Sequence, residues 1–145
     1  MLRDAKYIKR IILSLLIIVP LGLLSKKYTG FGRGWVNDFS GDILYEIFWC
    51  LFGFFLFPSR KAMNQIPIWV FGITCTIEFL QLWHQPVLDS IRSTFLGKLL
   101  LGTTFSWWDF PHYLLGCIIG WLWLQQIVRG YKDKTPIRSD KWMIR

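Results

Sequence analysis

The sequence predicts an all-α protein. It reads as an integral membrane bundle of four transmembrane helices with a short amphipathic or re-entrant helix between spans three and four. Three observations point there. Apolar residues make up 53% of the 145 and charged residues only 18%, whereas an ordinary soluble domain carries about 25% charge. Aromatic residues reach 18%, with nine Trp. The apolar residues are gathered into four long runs, each near the roughly 20 residues that carry a helix across about 30 Å of hydrocarbon. This composition excludes a disordered chain, a collagen-like repeat and a disulfide-rich secreted module. The length fits a single membrane domain over residues 1–145.

The first run spans about residues 7–24 and contains IILSLLIIVPLGLL. Pro20 sits inside it, as transmembrane helices tolerate. Leu24-Ser25-Lys26-Lys27 offers no small-x-small cleavage site, so the run reads as an uncleaved span rather than a signal peptide. The second span covers about 39–57, the third 66–83 and the fourth 109–127. None alternates in polarity as outer-membrane strands do. Pro58 and Pro67 bracket PSRKAMNQIP, which reads as a loop. Between spans three and four, Val87, Leu88, Ile91 and Phe95 recur at helical spacing, which predicts the short amphipathic or re-entrant helix at Pro86–Leu96.

Charge sets the expected orientation. Of the 17 Lys and Arg, four lie in residues 1–10, two in 58–67 and six in the basic tail 128–145, against three in 25–42 and two in 84–108. The positive-inside rule then puts both termini in the cytoplasm of a multi-pass inner (plasma) membrane protein. The net charge of +8 reads as this orientation signal and as attraction to anionic lipid head groups. No nucleic-acid-reading motif accompanies it, so no nucleic-acid partner is expected. Trp35, Trp83, Trp107 and Trp108 fall at the outer interface and Trp69 near the inner one.

Ionisable residues inside a span are costly and need a reason. Asp42 and Glu46 are four apart on one face of span two. Thr74, Glu78, Gln81 and Gln85 form a polar stripe on span three. Asp109, His112, Gly116 and Gly120 share a face of span four. Alternating span directions bring all three groups to the extracytoplasmic side. Asp42 and Asp109 also have helix-capping readings, Asp42 after Ser40-Gly41 and Asp109 three residues after Ser106. Glu78 and Glu46 could instead form a structural ion pair with Arg92, and His112 could simply lie at the interface. If Asp42 and Glu46 both ionise they repel, unless Arg92, His112 or a metal ion lies close. A single His among scattered acids is no metal-ligand pattern, so no metal or other cofactor is expected. Gly116-Cys-Ile-Ile-Gly120 is a GxxxG close-packing surface, within the bundle or in a homodimer. Cys50, Cys75 and Cys117 all lie in spans without a CxxC, and read as small buried apolar residues. Ser106 and His112 come without a Gly-x-Ser-x-Gly elbow, and the chain leans away from being an enzyme.

Several segments carry a resemblance: Glu78-Phe-Leu-Gln81, Leu88-Asp-Ser-Ile-Arg92-Ser-Thr94, Leu101-Gly102-Thr-Thr-Phe105-Ser106-Trp-Trp-Asp109, Tyr113-Leu-Leu-Gly116, and Ser40-Gly41-Asp42 in span two. Over roughly residues 8 to 127 the chain resembles a family of small bacterial integral membrane proteins known only as a domain of unknown function. That family is distantly similar to the VanZ-like proteins, named for a glycopeptide-antibiotic resistance accessory protein. The resemblance implies a helical inner-membrane protein of the cell envelope with no established reaction, and points to Asp42, Glu78, Gln81, Arg92, Asp109 and Tyr113. Glu46 and His112 are singled out by chemistry alone. The functional expectations are a site for a lipid or lipid-linked head group on the outer face, with membrane lipids as partners. The alternatives are an assembly partner in a membrane complex, a small ion- or proton-coupled carrier, and, last, a membrane-embedded enzyme using paired acids.

Overall fold

The computed structural model describes residues 5–83, 85–102 and 104–132, and they are all-α. Helix α1 runs Ala5–Ser25 and contains Pro20. A helical turn α2, Arg33–Trp35, continues through a π-turn at Val36–Ser40 into α3, Gly41–Leu56. Trp35, Ser40 and Gly41 all hold right-handed helical dihedrals. Residues 33–56 are therefore one helical run with a π-turn inserted. Asp42 consequently sits within a helix and not at its start, and the capping reading falls. Ser40 bonds back to the Val36 carbonyl.

Helix α4 is Arg60–Gln81. It begins six residues before the expected span, because Ser59 caps it: the Ser59 Oγ accepts from Ala62 N at 3.0 Å. Pro67 lies inside α4, so only the Pro58 end of the expected 58–67 loop breaks the chain. The connecting segment holds two short helices, α5 at Pro86–Ser93 and α6 at Phe95–Leu101. They are divided at Thr94, whose Oγ1 accepts from Gly97 N at 3.0 Å. Helix α7 is Asp109–Lys132. It runs five residues past the expected span, and the rest of the basic tail lies outside the described residues.

Residue pairs fix the directions. Gly53 meets Ile66 where α3 turns into α4. Glu78 reaches Tyr113, while Asn64 reaches Trp121, so α4 and α7 are antiparallel. Gly116 lies against Ile43 and Glu46, and Gly120 against Ile47 and Cys50, so α3 and α7 are parallel. Gly22 lies beside Leu44 and Lys26 beside Gly41, so α1 and α3 are antiparallel. The four long helices alternate in direction along the chain.

The core joins α1, α3 and α7 through Ile11, Ile18, Ile47, Leu51, Phe54, Leu124 and Ile127. Helix α4 enters differently: its buried residues are Pro67, Thr74, Glu78 and Gln81. Met63, Ile66, Val70 and Phe71 pack against the core, while other large apolar side chains of α4 point outward, with Ile68 71% and Trp69 70% exposed. By length and composition one helix among the described residues, α1 over Ile8–Ser25 (mean hydropathy 2.1), is apolar enough to cross a membrane. Two qualify if α4 and α5, which meet at 113°, count as one broken span. The sequence expectation of four is thereby narrowed. The regular part of α3 is only 16 residues, and α4 and α7 carry Arg60, Lys61, Glu78, Asp109 and Arg129 along their lengths.

The close approach of α7 to α3 is testable. A Cβ on Gly116 would lie 2.6 Å from the Glu46 Cβ and 2.8 Å from the Ile43 carbonyl oxygen. A Cβ on Gly72 in α4 would meet nothing within 4 Å. Gly116→Ala is expected to destabilise the purified protein by about 1–3 kcal/mol through overpacking. Gly72→Ala is expected to stabilise it by about 0.5–1 kcal/mol through helix propensity. Thermal unfolding of the two variants decides.

Candidate functional site: a polar cluster beside a deep cavity

A cavity of about 750 Å³ opens between α1, α3, α4, α6 and the start of α7. One part of its wall is apolar, with Ile18, Val19 and Leu23 of α1 facing Leu44 and Phe48 of α3. The other part is polar and carries Lys26, Asp42, Gln81, Lys98, Thr104, Ser106, Asp109 and Tyr113. Helix α6 closes the polar part with two bonds: Tyr45 donates to the Leu100 carbonyl at 3.2 Å and Gln81 Nε2 to the Leu101 carbonyl at 2.9 Å. The chain can come this close because Gly102 follows with φ +65° and has no side chain; a Cβ there would collide with Gln81 Nε2.

Behind the polar wall sits Glu78, 1% exposed. Its Oε1 accepts from the backbone N of Ser106 at 2.8 Å, and its Oε2 from Tyr113 Oη at 2.9 Å and Gln81 Nε2 at 3.1 Å. One carboxyl group thus ties α4 to α7 and to the segment between α6 and α7. Asp109, in the first turn of α7, interacts with Glu78 and Ser106. Three donors converging on one buried acid satisfy it without a cation at contact.

Asp42 and Glu46 share a face, as their spacing requires, yet have different surroundings. Asp42 lines the cavity and has Lys26 as its electrostatic partner. Lys26 is placed by a bond from Nζ to the Asn37 carbonyl at 2.8 Å. Glu46 is fully buried against α7. Its Oε2 accepts from Cys117 Sγ at 3.0 Å, Thr74 lies alongside, and Oε1 has no partner among the described residues.

Arg92 and His112 stand apart from the cavity. Arg92 is buried, and its guanidinium caps the end of α4. Nη2 donates to the Leu80 carbonyl at 2.7 Å, and Nη1 to the Trp83 carbonyl at 3.4 Å and to Asp89 at 3.3 Å. It pins α5 across the end of α4 and takes no part in the bonds of Glu78 or Glu46 described here. The unpaired carbonyls at the end of α4 explain the choice: they offer a guanidinium several acceptors at once. His112 stacks on Phe39, ring centroids 4.2 Å apart, and its Nδ1 lies 2.6 Å from the Trp108 carbonyl. A carbonyl only accepts, so that nitrogen carries the hydrogen. Gln85 falls outside the polar stripe, because α4 ends at Gln81.

Sequence reasoning therefore assembled Asp42, Glu78, Gln81, Asp109 and Tyr113 but missed Lys26, Tyr45, Lys98 and Thr104. The signal for Lys26 was available: it closes span one on the side where span two begins with Asp42. Lys98 and Thr104 had none, since their placement depends on the path of the chain between α5 and α7. No group of three or more His, Cys, Asp or Glu among the described residues could hold a metal ion.

An α-helical bundle with an acid-centred polar cluster beside an amphipathic cavity is the class the fold and site define. The chain belongs to a family described as "Protein of unknown function (DUF2809)", whose sequence profile matches residues 31–117. That stretch holds every polar site residue named here except Lys26. No solved structure matches the chain.

The role of Glu78 as a cross-helix tie can be measured. Glu78→Ala leaves the Ser106 N–H, the Tyr113 hydroxyl and the Gln81 amide without their acceptor, and is expected to destabilise by at least about 1–3 kcal/mol. In a double-mutant cycle, Glu78→Gln and Tyr113→Phe are expected to be coupled by about 1 kcal/mol. Additive effects in unfolding experiments would show the contact to be idle.

Proposed function

We propose that this protein is a multi-pass membrane protein that binds a lipid or lipid-linked head group at the polar cluster. The cavity carries the ligand reading. It joins an apolar wall between α1 and α3 to a polar wall of lysines, acids and hydroxyls, and that division matches an amphiphile.

The polarity of α4 supports the membrane setting. A helix that buries Thr74, Glu78 and Gln81 while exposing Ile68, Trp69, Ile73, Phe79 and Leu82 has its apolar face on the outside. In water such a face is a large unpartnered patch. In hydrocarbon it is the face the solvent favours, and interior polar residues become the contacts that hold helices together. Helix α1 adds to this, with Leu13, Leu16 and Leu24 at least 60% exposed. On this reading α1, α3, α4 and α7 are the four spans, with the π-turn and α2 lengthening the third helix. Lys9, Arg10, Arg60, Lys61 and Arg129 mark the cytoplasmic end, and the cavity faces the outer leaflet of a plasma membrane.

A second reading, that the polar contacts only hold the bundle together for assembly with a partner or a second copy, draws on Glu78. All three of its bonds are internal ties. It accounts for Glu78 but not for a cavity that leaves Asp42, Asp109 and Lys98 along its wall.

Two experiments test the proposal. Gly22 lines the cavity, with Leu44 3.9 Å from the position of its Cβ. Gly22→Ala is expected to keep copurified lipid, and Gly22→Phe, which projects a ring into the space, to lose it. Equal lipid content by mass spectrometry in the two folded variants overturns the ligand reading. Single cysteines at Thr29 and Ser90 in a cysteine-free background are expected to react with an impermeant reagent from outside intact cells, and one at Ser59 only after permeabilisation. The reverse pattern overturns the orientation.

A further inference from the structure

Resting on the amphiphile reading above, the polar wall of the cavity can be read for the kind of head group it complements. It carries two carboxyl groups beside two lysines. Asp42 and Asp109 both line it. Gln81 lines it too, with its Nε2 used by Glu78 and Leu101. On the donor side, Lys26 is engaged by the Asn37 carbonyl and by Asp42. Asp42 has Lys26 as a neighbouring cation and Asp109 as a neighbouring acid, and Asp109 has His112 and Lys26 as neighbouring cations. Lys98 lines the cavity on α6 and carries an exposed ammonium, which gives an anionic group of the same ligand a partner.

We propose that the cavity selects a head group carrying a primary ammonium, held by Asp42 and Asp109, on a phosphate-bearing lipid whose phosphate lies toward Lys98: an aminophospholipid. A primary ammonium has three donors, which the oxygens of the two carboxyl groups can accept. A quaternary ammonium has the charge without the donors, and a polyol has donors without the charge. An amine of the same chemistry could also come from a soluble molecule, and the test separates the two.

The purified, delipidated full-length chain is offered lipids of one tail composition that differ in the head: phosphatidylethanolamine, its N-acetylated form, phosphatidylcholine and phosphatidylglycerol. Bound lipid is read by native mass spectrometry. Phosphatidylethanolamine is expected to be retained about tenfold or more over the N-acetylated form, as befits the loss of charge-assisted hydrogen bonds. Asp109→Asn is expected to erase that preference. The head-group series on the wild-type chain decides alone if the variant does not fold. Equal retention of all four lipids overturns the ammonium site and leaves the amphiphile reading standing. Retention of none overturns the amphiphile reading itself. Preference for phosphatidylglycerol assigns the cavity to a polyol and overturns the proposal. Displacement of the lipid by glycerophosphoethanolamine at equal concentration shows a soluble amine to be the occupant, and overturns the lipid assignment.

Discussion

The structure depends on how one helix is satisfied. α4 turns Thr74, Glu78 and Gln81 into the bundle, and a buried carboxyl must find donors or destabilise the fold. Glu78 finds a backbone amide at Ser106, a phenol at Tyr113 and an amide at Gln81. Each of these sets another element. The Ser106 bond fixes the segment that leads into α7, the Tyr113 bond fixes the first turns of α7 against α4, and Gln81 passes the connection on to the Leu101 carbonyl at the end of α6. The cavity is what remains between this rigid polar frame and the apolar faces of α1 and α3. Its polar and apolar walls follow from which helices carry a polar stripe and which do not.

The second constraint is steric. α7 lies close against α3 because Gly116 and Gly120 present no side chain there, and this brings Glu46 into contact with Cys117. Glu46 is therefore enclosed by a packing decision, whereas Asp42, one turn earlier on the same face, stays at the cavity where Lys26 can reach it. Two acids spaced as an obvious pair end up with different neighbours, and the difference lies in the partner helix rather than in the spacing.

The sequence made much of this legible. Four helices stand where the apolar runs placed them, and their alternating directions carry Asp42, Glu78, Gln81, Asp109 and Tyr113 to one end of the bundle. Those inferences need only helical periodicity and the parity of chain reversals. The failures share another cause. The run from Arg33 to Leu56 looked like a helix starting near Asp42, because Ser-Gly-Asp imitates a cap; a π-turn absorbs the irregularity and the helix continues through it. Pro67 looked like a break, and α4 holds it internally. Arg92 looked like the counter-charge for the buried acids because charge attracts charge. It went instead to carbonyls at the end of α4, which were nearer along the chain and equally in need of a partner.

The choice made by Arg92 bears on what the acids are for. Had the guanidinium entered the cluster, its charge would have neutralised one carboxyl, and the cavity would have been a closed structural ion pair. Because Arg92 is held at the end of α4 by two carbonyls and Asp89, it does not neutralise the acids of the cluster. Glu78 is satisfied internally, and Asp42 and Asp109 line the cavity. A frame that needed acids only for stability could close at Glu78. The additional acids along the cavity wall, Asp42 beside Lys26 and Asp109 beside Ser106 and Glu78, share that wall with the exposed Lys98, and the proposed recognition chemistry rests on them.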